Sequence, residues 1–289
     1  MDSSELIKKV RKIEIRTRAL SQQVFSGQYH AAFKGRGMTF SEVREYQYGD
    51  DVRNIDWNVT ARFHRPYVKI FEEERELSVM LLVDVSGSTL FGTSKQFKAD
   101  LITEIAAVLS FSAINNNDKV GVIFFSDVVE KFIPPKKGRS HILRIIRELV
   151  DYQPRQVQTN LSEALRYLTN IIKKKCTVFI LSDFINCDFE RALQIAANKH
   201  DVVALQVSDR ADDQLPKVGL VSLNDPETGQ TLVVDSSSKK VQQAYRCWWI
   251  AQRQQINEQF RKCGVDSAQL FTGEDYVKVL TKLFQKRGA

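Results

Sequence analysis

The chain is poor in the residues that build zinc or disulfide frameworks. Its four cysteines, Cys176, Cys187, Cys247 and Cys263, form no C-x-x-C pair, and no histidine stands near them at zinc-finger spacing. Cys176 opens an apolar run and Cys263 closes a helical pattern, so both read as small buried hydrophobes. Long apolar runs are missing as well. No stretch approaches ~18 consecutive apolar residues, which excludes a helical bilayer span. The start, "MDSSELIKKVRKIEIR", has no apolar core segment, so no signal peptide is expected. These absences lead to the expectation of a reduced, soluble, cytoplasmic protein.

Catalytic equipment is equally sparse. No G-x-x-x-x-G-K-[ST] phosphate loop occurs. The one candidate for a nucleophile elbow, "VSGST", has Val85 where the first glycine of G-x-S-x-G belongs. A phospho-aspartate enzyme would need a second aspartate two residues after Asp84, and Ser86 fills that place. His30, His64, His141 and His200 are scattered, which leaves no general base. The chain is therefore not expected to be an enzyme. A hydrolase that uses a bound ion to activate water is a rival reading.

What the chain does have is positive charge, a net +7 with a pI near 9.1. The excess sits at the two ends. Residues 1–20 hold six Lys/Arg against three Asp/Glu, and residues 239–289 hold ten against four. Basic ends of this kind serve either nucleic-acid contact or the solvation of amphipathic helices. Aromatic-basic interleaving of the RNA-binding type is missing, so helix solvation is the expectation and nucleic-acid binding the rival.

The hydrophobic pattern reads as α/β. Residues 4–25 place Leu6, Val10, Ile13, Leu20 and Val24 at helical spacing. Residues 26–76 break every period and hold five aromatics between Tyr46 and Tyr67. They read as ordered loops and short strands, with "YVKIFEEE" extended. From Leu77 the texture changes. "LSVMLLVDV", "KVGVIFF", "CTVFILSD" and "DVVALQVSD" are continuous apolar runs, as in parallel strands buried on both faces. "VVEKFIPP" reads as a strand reversing direction, stopped by Pro134 and Pro135. Helices are predicted over 95–114, 139–150, 161–173 and 188–199. "VGLVSLNDPETGQTLVVD" reads as a hairpin turning at "DPETG". A helix over 238–262 follows, carrying Trp248 and Trp249, and then one strand, "VDSAQLF", and one helix, "EDYVKVLTKLFQ". The expected architecture is a three-layer, doubly wound, mostly parallel sheet. Its core spans 77–208 and 264–289, with an N-terminal helix and charged aromatic loop region at 1–76 and a hairpin-helix insertion at 209–263.

Open α/β sheets bind ligands at the carboxyl ends of their strands. Three such places are distinctive here: Asp84, Ser86 and Ser88 after the first strand, Thr159 and Asn160 before a helix, and Ser182 and Asp183 after a later strand. Asp84 could instead cap a helix, but the next helix starts too far away. Asn160 with Glu163 makes a capping-box pair, which would leave Thr159 a turn residue. Asp183 could likewise cap. Together these three places supply two carboxylates and several hydroxyls, hard oxygen donors without imidazole or thiolate. Such donors suit Mg²⁺, or Mn²⁺ or Ca²⁺, rather than Zn²⁺.

"DVSGS" after a buried strand, "TN" opening a helix and "SDF" at a strand end together resemble the metal-ion-dependent adhesion site of von Willebrand factor A domains. That resemblance implies that Asp84, Ser86, Ser88, Thr159 and Asp183 are the ligand set. From about Ser26 to the C-terminus the chain also resembles the bacterial family called domain of unknown function 58. The resemblance rests on "GDDVRNIDWNVTARFHRPYVKIFEEERELSVMLLVDVSGS", "FIPPKKGRSHILRIIREL", "ILSDF" and "VGLVSLNDPETGQ". It implies a von Willebrand A core that mediates protein contacts, in association with MoxR-type AAA+ ATPases and other von Willebrand A proteins. The expectation is an adaptor whose bound cation accepts an acidic side chain of its partner. A structural subunit with a vestigial metal site is the remaining rival. Two further stretches stand out. "REYQYGDDVRNIDWNVTAR" alternates Asp50, Asp51 and Asp56 with Arg44, Arg53 and Arg62, and reads as an internal ion-pair network or an ATPase contact. "PPKKGR" reads as a turn into a basic helix start, or as a place for a phosphate or acid.

Overall fold

The computed structural model describes residues 10–17, 20, 38–73, 77–90, 92, 97–153, 158–185, 187–224 and 231–288. Residues 10–17 and 20 are helical; the rest of the stretch 4–25 and the hairpin turn lie outside the described residues. The chain divides into two compact units, Lys34–Leu77 and a larger one made of Met1–Phe33 with Ser78–Ala289.

In the smaller unit, β1 (Met38–Glu45) and β2 (Tyr67–Glu73) pair antiparallel, which places "YVKIFEE" in an extended strand. Between them lies a short helix, α1 (Trp57–Phe63), where loops were expected. Its cause is local. Asp56 accepts hydrogen bonds from the Asn58 and Val59 amides at 3.0 and 3.2 Å, so a single carboxylate satisfies two orphan donors of the first turn. The charged stretch folds on itself in the same way. Arg44 grips Asp50 with two bonds of 2.8 Å and Arg53 grips Asp51, while Lys69 approaches Asp56 at 3.4 Å. The Arg44 guanidinium holds the Asp50 carboxyl below the usual carboxylate range.

The larger unit is built on six strands in the order β10-β7-β6-β3-β4-β5. They are β3 (Ser78–Asp84), β4 (Lys119–Phe125), β5 (Val129–Lys136), β6 (Thr177–Ser182), β7 (Asp201–Ser208) and β10 (Asp266–Phe271). All pairs are parallel except β4 with β5. Between β3 and β5 run α2 (Lys98–Asn115) and, after β5, α3 (Arg139–Asp151) and α4 (Leu161–Ile171). Next come α5 (Glu190–Lys199), the β8–β9 hairpin (Leu220–Asn224 and Thr231–Asp235), α6 (Lys239–Lys262) and α7 (Tyr276–Gly288).

Residues Val79 to Val83 are buried to 1% exposure or less, and the reason is positional. β4 and β6 take up the backbone groups of β3 on either side, and helices cover both faces. On one face Met80 and Leu82 share a core with Leu161, Leu165 and Leu168 of α4, Leu193 of α5 and Ile256 and Phe260 of α6. On the other, α2 packs over β3, β4 and β7, and Phe284 of α7 meets Phe179 of β6 edge-on. The three-layer doubly wound class expected from the apolar runs is the observed one. Within residues 209–263 the two elements differ. Both strands of the hairpin show mostly exposed or half-buried side chains, whereas α6 sends Trp249, Ile256 and Phe260 into the core and leaves Trp248 exposed.

Pro134 and Pro135 do not stop β5, which runs on to Lys136. β5 is an edge strand, and the two prolines sit between paired Ile133 and Lys136, where the register shifts. A missing N–H costs nothing there. The shift brings β5 close over Gly121, where a Cβ would lie 2.8 Å from the Pro135 nitrogen and 2.9 Å from the Ile133 carbonyl oxygen. Gly121→Ala should therefore lower stability by about 1–3 kcal/mol, read from the urea midpoint at constant slope.

At the amino end of the sheet, His200 is 2% exposed and its Nδ1 lies 3.3 Å from Cys176 Sγ. Burial first, then the Lys199 charge, pushes the His200 pKa down to about 4; burial pushes the Cys176 thiol up to about 12. The unfolded chain takes up the imidazole proton before the folded one does. Stability from His200 is thus complete above about pH 6.5 and is lost as pH falls toward 4. Urea unfolding between about pH 7 and 5 should show this loss in the native chain and less of it in His200→Gln.

Candidate metal centre

β3 and β6 are neighbours, and their chains leave toward opposite faces: β3 leads to α2 on one side and β6 to α5 on the other. That divergence opens a crevice at their carboxyl ends, the position where sheets of this kind hold ligands. Asp84 ends β3 on one side of it and Asp183 follows β6 on the other.

The turn after β3 is shaped by Asp84 itself. Its Oδ1 accepts the Ser86 amide at 2.9 Å, and the chain then coils into a 3₁₀ turn over Gly87–Leu90. Thr89 closes that turn by donating its hydroxyl to the Ser86 carbonyl at 2.8 Å. The result sets Ser86 Oγ and Ser88 Oγ 3.0 Å apart. Two adjacent donors on an octahedral Mg²⁺ stand about 2.9 Å apart, given bonds of ~2.0–2.1 Å, so this pair fits one ion. Across the crevice, Ser182 Oγ donates to Asp84 Oδ2 at 2.6 Å and accepts the Phe184 amide at 3.1 Å.

Asp84 and Asp183 are 2% and 4% exposed. Burial, with the nearby Asp183 charge adding to it, pushes the Asp84 pKa up to about 7 against the pull of its Ser182 and Ser86 hydrogen bonds. An added cation would relieve that strain. Asp183 Oδ1 accepts the Ile185 amide at 3.2 Å, while its Oδ2 is buried and accepts no hydrogen bond. Its carbonyl oxygen is fixed by Gln206 of β7 at 3.1 Å. The backbone after it is strained: Phe184 has φ +59°, a left-handed conformation that a bulky residue rarely adopts. The strain is offset by burial of the Phe184 ring between Phe189 and Phe260, at centroid distances of 5.6 and 5.0 Å.

Thr159 arrives at the same edge through its backbone. The next amide, of Asn160, donates to the Ser126 carbonyl at the end of β4 at 2.7 Å, and Asn160 Oδ1 caps α4 through the Glu163 amide. The structure thus joins Asp84, Ser86, Ser88 and Ser182 by direct contact, sets Asp183 beside them, and ties the Thr159 loop to the neighbouring strand end. No group of three or more His, Cys, Asp or Glu placed for a metal occurs among the described residues; two carboxylates and hydroxyls make up the set. Sequence reading missed Lys98, whose Nζ lies 3.6 Å from Asp183 Oδ2 and 3.0 Å from Asp212 Oδ2. The signal was present, since Lys98 falls at helical spacing with Leu101, Ile102 and Ile105 on the apolar face of α2.

A family described as "Protein of unknown function DUF58" matches residues 42–255. An uncharacterized protein of Mycobacterium tuberculosis is 30% identical over 100% of this chain and 92% of its own length. Among solved structures, an aerotolerance-related membrane protein from Bacteroides fragilis aligns with TM-score 0.50 and 16% identity, over 73% of this chain and 98% of that one. The VWA domain of SpRpn10 aligns with TM-score 0.39 and 10% identity, over 73% and 95%. No helix among the described residues is long and apolar enough to cross a membrane.

The position of Asp183 depends on the ring that holds the strained turn. Phe184→Ala should cost about 3–5 kcal/mol of stability in equilibrium urea unfolding.

Proposed function

The chain belongs to the family of proteins of unknown function DUF58, and from that premise we propose that it is a metal-dependent protein–protein adaptor without enzymatic activity. The observation that supports this reading is the convergence of hard oxygen donors at the β3–β6 crevice. Asp84, Ser86 and Ser88 lie on one wall and Asp183 on the other, beside the Thr159 loop.

In this reading Asp84, Ser86, Ser88, Thr159 and Asp183 hold Mg²⁺, with Mn²⁺ or Ca²⁺ as substitutes. The ion, when bound, offers a coordination position to the carboxylate of a partner's Asp or Glu. The chain's own residues do the rest. Ser182 and the Ser86 amide orient Asp84 so that each carboxylate oxygen keeps a lone pair for ligation. The 3₁₀ turn presents the two serine hydroxyls together. The Phe184 turn sets Asp183 against them. The partner we propose is a MoxR-type AAA+ ATPase, or another von Willebrand A protein working with it, in the cytoplasm.

The test is capture of a purified MoxR-type ATPase from the same organism on the immobilised chain, in Mg²⁺ or in EDTA. A coordinated carboxylate contributes on the order of a charge-assisted hydrogen bond or more, so EDTA should weaken binding at least about tenfold. Asp84→Ala should match the EDTA result and be insensitive to added Mg²⁺. Equal binding of both proteins in both buffers would refute the bridge.

A further inference from the structure

Lys98 is the only fully buried lysine or arginine among the described residues, at 3% exposure. It reaches the crevice from the first turn of α2 and stands between two buried carboxylates. Its Nζ is 3.0 Å from Asp212 Oδ2, within hydrogen-bond distance, and 3.6 Å from Asp183 Oδ2, beyond it. The two contacts differ in kind. Asp212 is fixed in place, because its Oδ2 also accepts the Asp209 amide at 2.7 Å. Asp209 is fixed in turn by the Ala211 amide and by the Thr272 hydroxyl of the loop after β10. Asp183 Oδ2 is held by charge alone, since it accepts no hydrogen bond. Burial by itself would lower the Lys98 pKa. The charges of Asp183 and Asp212 outweigh it and keep the pKa above the usual lysine value, so the group stays an ammonium.

A cation is therefore already present beside one of the two carboxylates that would hold a divalent ion. We infer that Lys98 is a tethered competitor for Asp183, which makes the crevice bind a divalent ion weakly by itself and tightly only together with an acidic ligand. The inference rests on the adaptor reading of the same site and adds its regulation. Like charges this close in a water-poor crevice repel strongly. With Lys98 in place, Asp183 offers the ion only part of its negative charge. A carboxylate from outside restores it, so ion and acidic partner bind cooperatively and reciprocally. An adaptor so built holds no tightly bound ion while idle.

The experiment is a Mn²⁺ titration of the full chain by electron paramagnetic resonance, with and without sodium acetate as the carboxylate probe. Lys98→Met keeps the length of the side chain and removes its charge. It also leaves Asp212 buried without its partner, which can prevent folding. Lys98→Met/Asp212→Asn removes both charges of that pair and carries the test if the single variant does not fold, as judged by thermal melting. The expected result is Mn²⁺ affinity about tenfold or more above the native chain in the charge-removed protein, with the gain from acetate much reduced. If the native chain binds Mn²⁺, Asp84→Ala abolishes that binding, and the folded Lys98 variant binds no more tightly than the native chain, the competitor idea is wrong while the metal site stands. If no form binds Mn²⁺, both fall.

Discussion

Everything at the carboxyl end of the sheet follows from the complete enclosure of β3. With β4 and β6 on its flanks and helices on both faces, the strand has no route to water along its length. A chain leaving such a strand must satisfy its polar groups from whatever its neighbours provide. Asp84 is met by one amide of its own turn and one hydroxyl of β6, and both partners are fixed by further bonds. The shape of the serine turn and the hydroxyl of Ser182 are linked responses to one buried carboxylate.

The same enclosure explains why so much was readable in the amino-acid order. Strands buried on both faces need unbroken apolar runs, and Val79–Val83, Val120–Phe125, Val178–Leu181 and Val202–Val207 contain almost nothing else. The spacing of Asp84, Ser86 and Ser88 was equally plain, because a tight turn must place its donors close together in sequence. Elements governed by local or edge effects were harder to read. The short helix α1 depends on one capping carboxylate within a charged stretch that has no helical period. β5 continues through two prolines because only one of its sides is paired, and pairing is a property of the sheet rather than the segment. Lys98 was hidden by its type: a lysine in an apolar stripe looks like a solvated interruption until the carboxylates facing it are known. Phe184 gave no signal, since a left-handed backbone at a phenylalanine is imposed by packing around Phe189 and Phe260.

Four aspartates of the larger unit are buried close to the crevice, with Lys98 the one buried lysine or arginine among the described residues. Asp84, Asp183, Asp209 and Asp212 are all buried near the ends of β3, β6 and β7, while the surplus of lysine and arginine lies toward the two ends of the chain. The net charge of +7 thus gives little guidance to the chemistry of the crevice, whose field is set by the few groups close to it in a medium of low polarizability. The Bacteroides fragilis alignment agrees with the α/β architecture and leaves this local arrangement to be judged by its own geometry.

The irregular course of β5 bears on whether another strand can pair with this edge of the sheet. A sheet edge normally presents a row of donors and acceptors on which another chain can crystallise a further strand. Pro134 and Pro135 remove two adjacent donors from the strand, whose N–H groups point alternately inward and outward, and the pairing register shifts there. On this side the template for a further strand is interrupted. Growth by strand addition is thereby discouraged at the β5 edge.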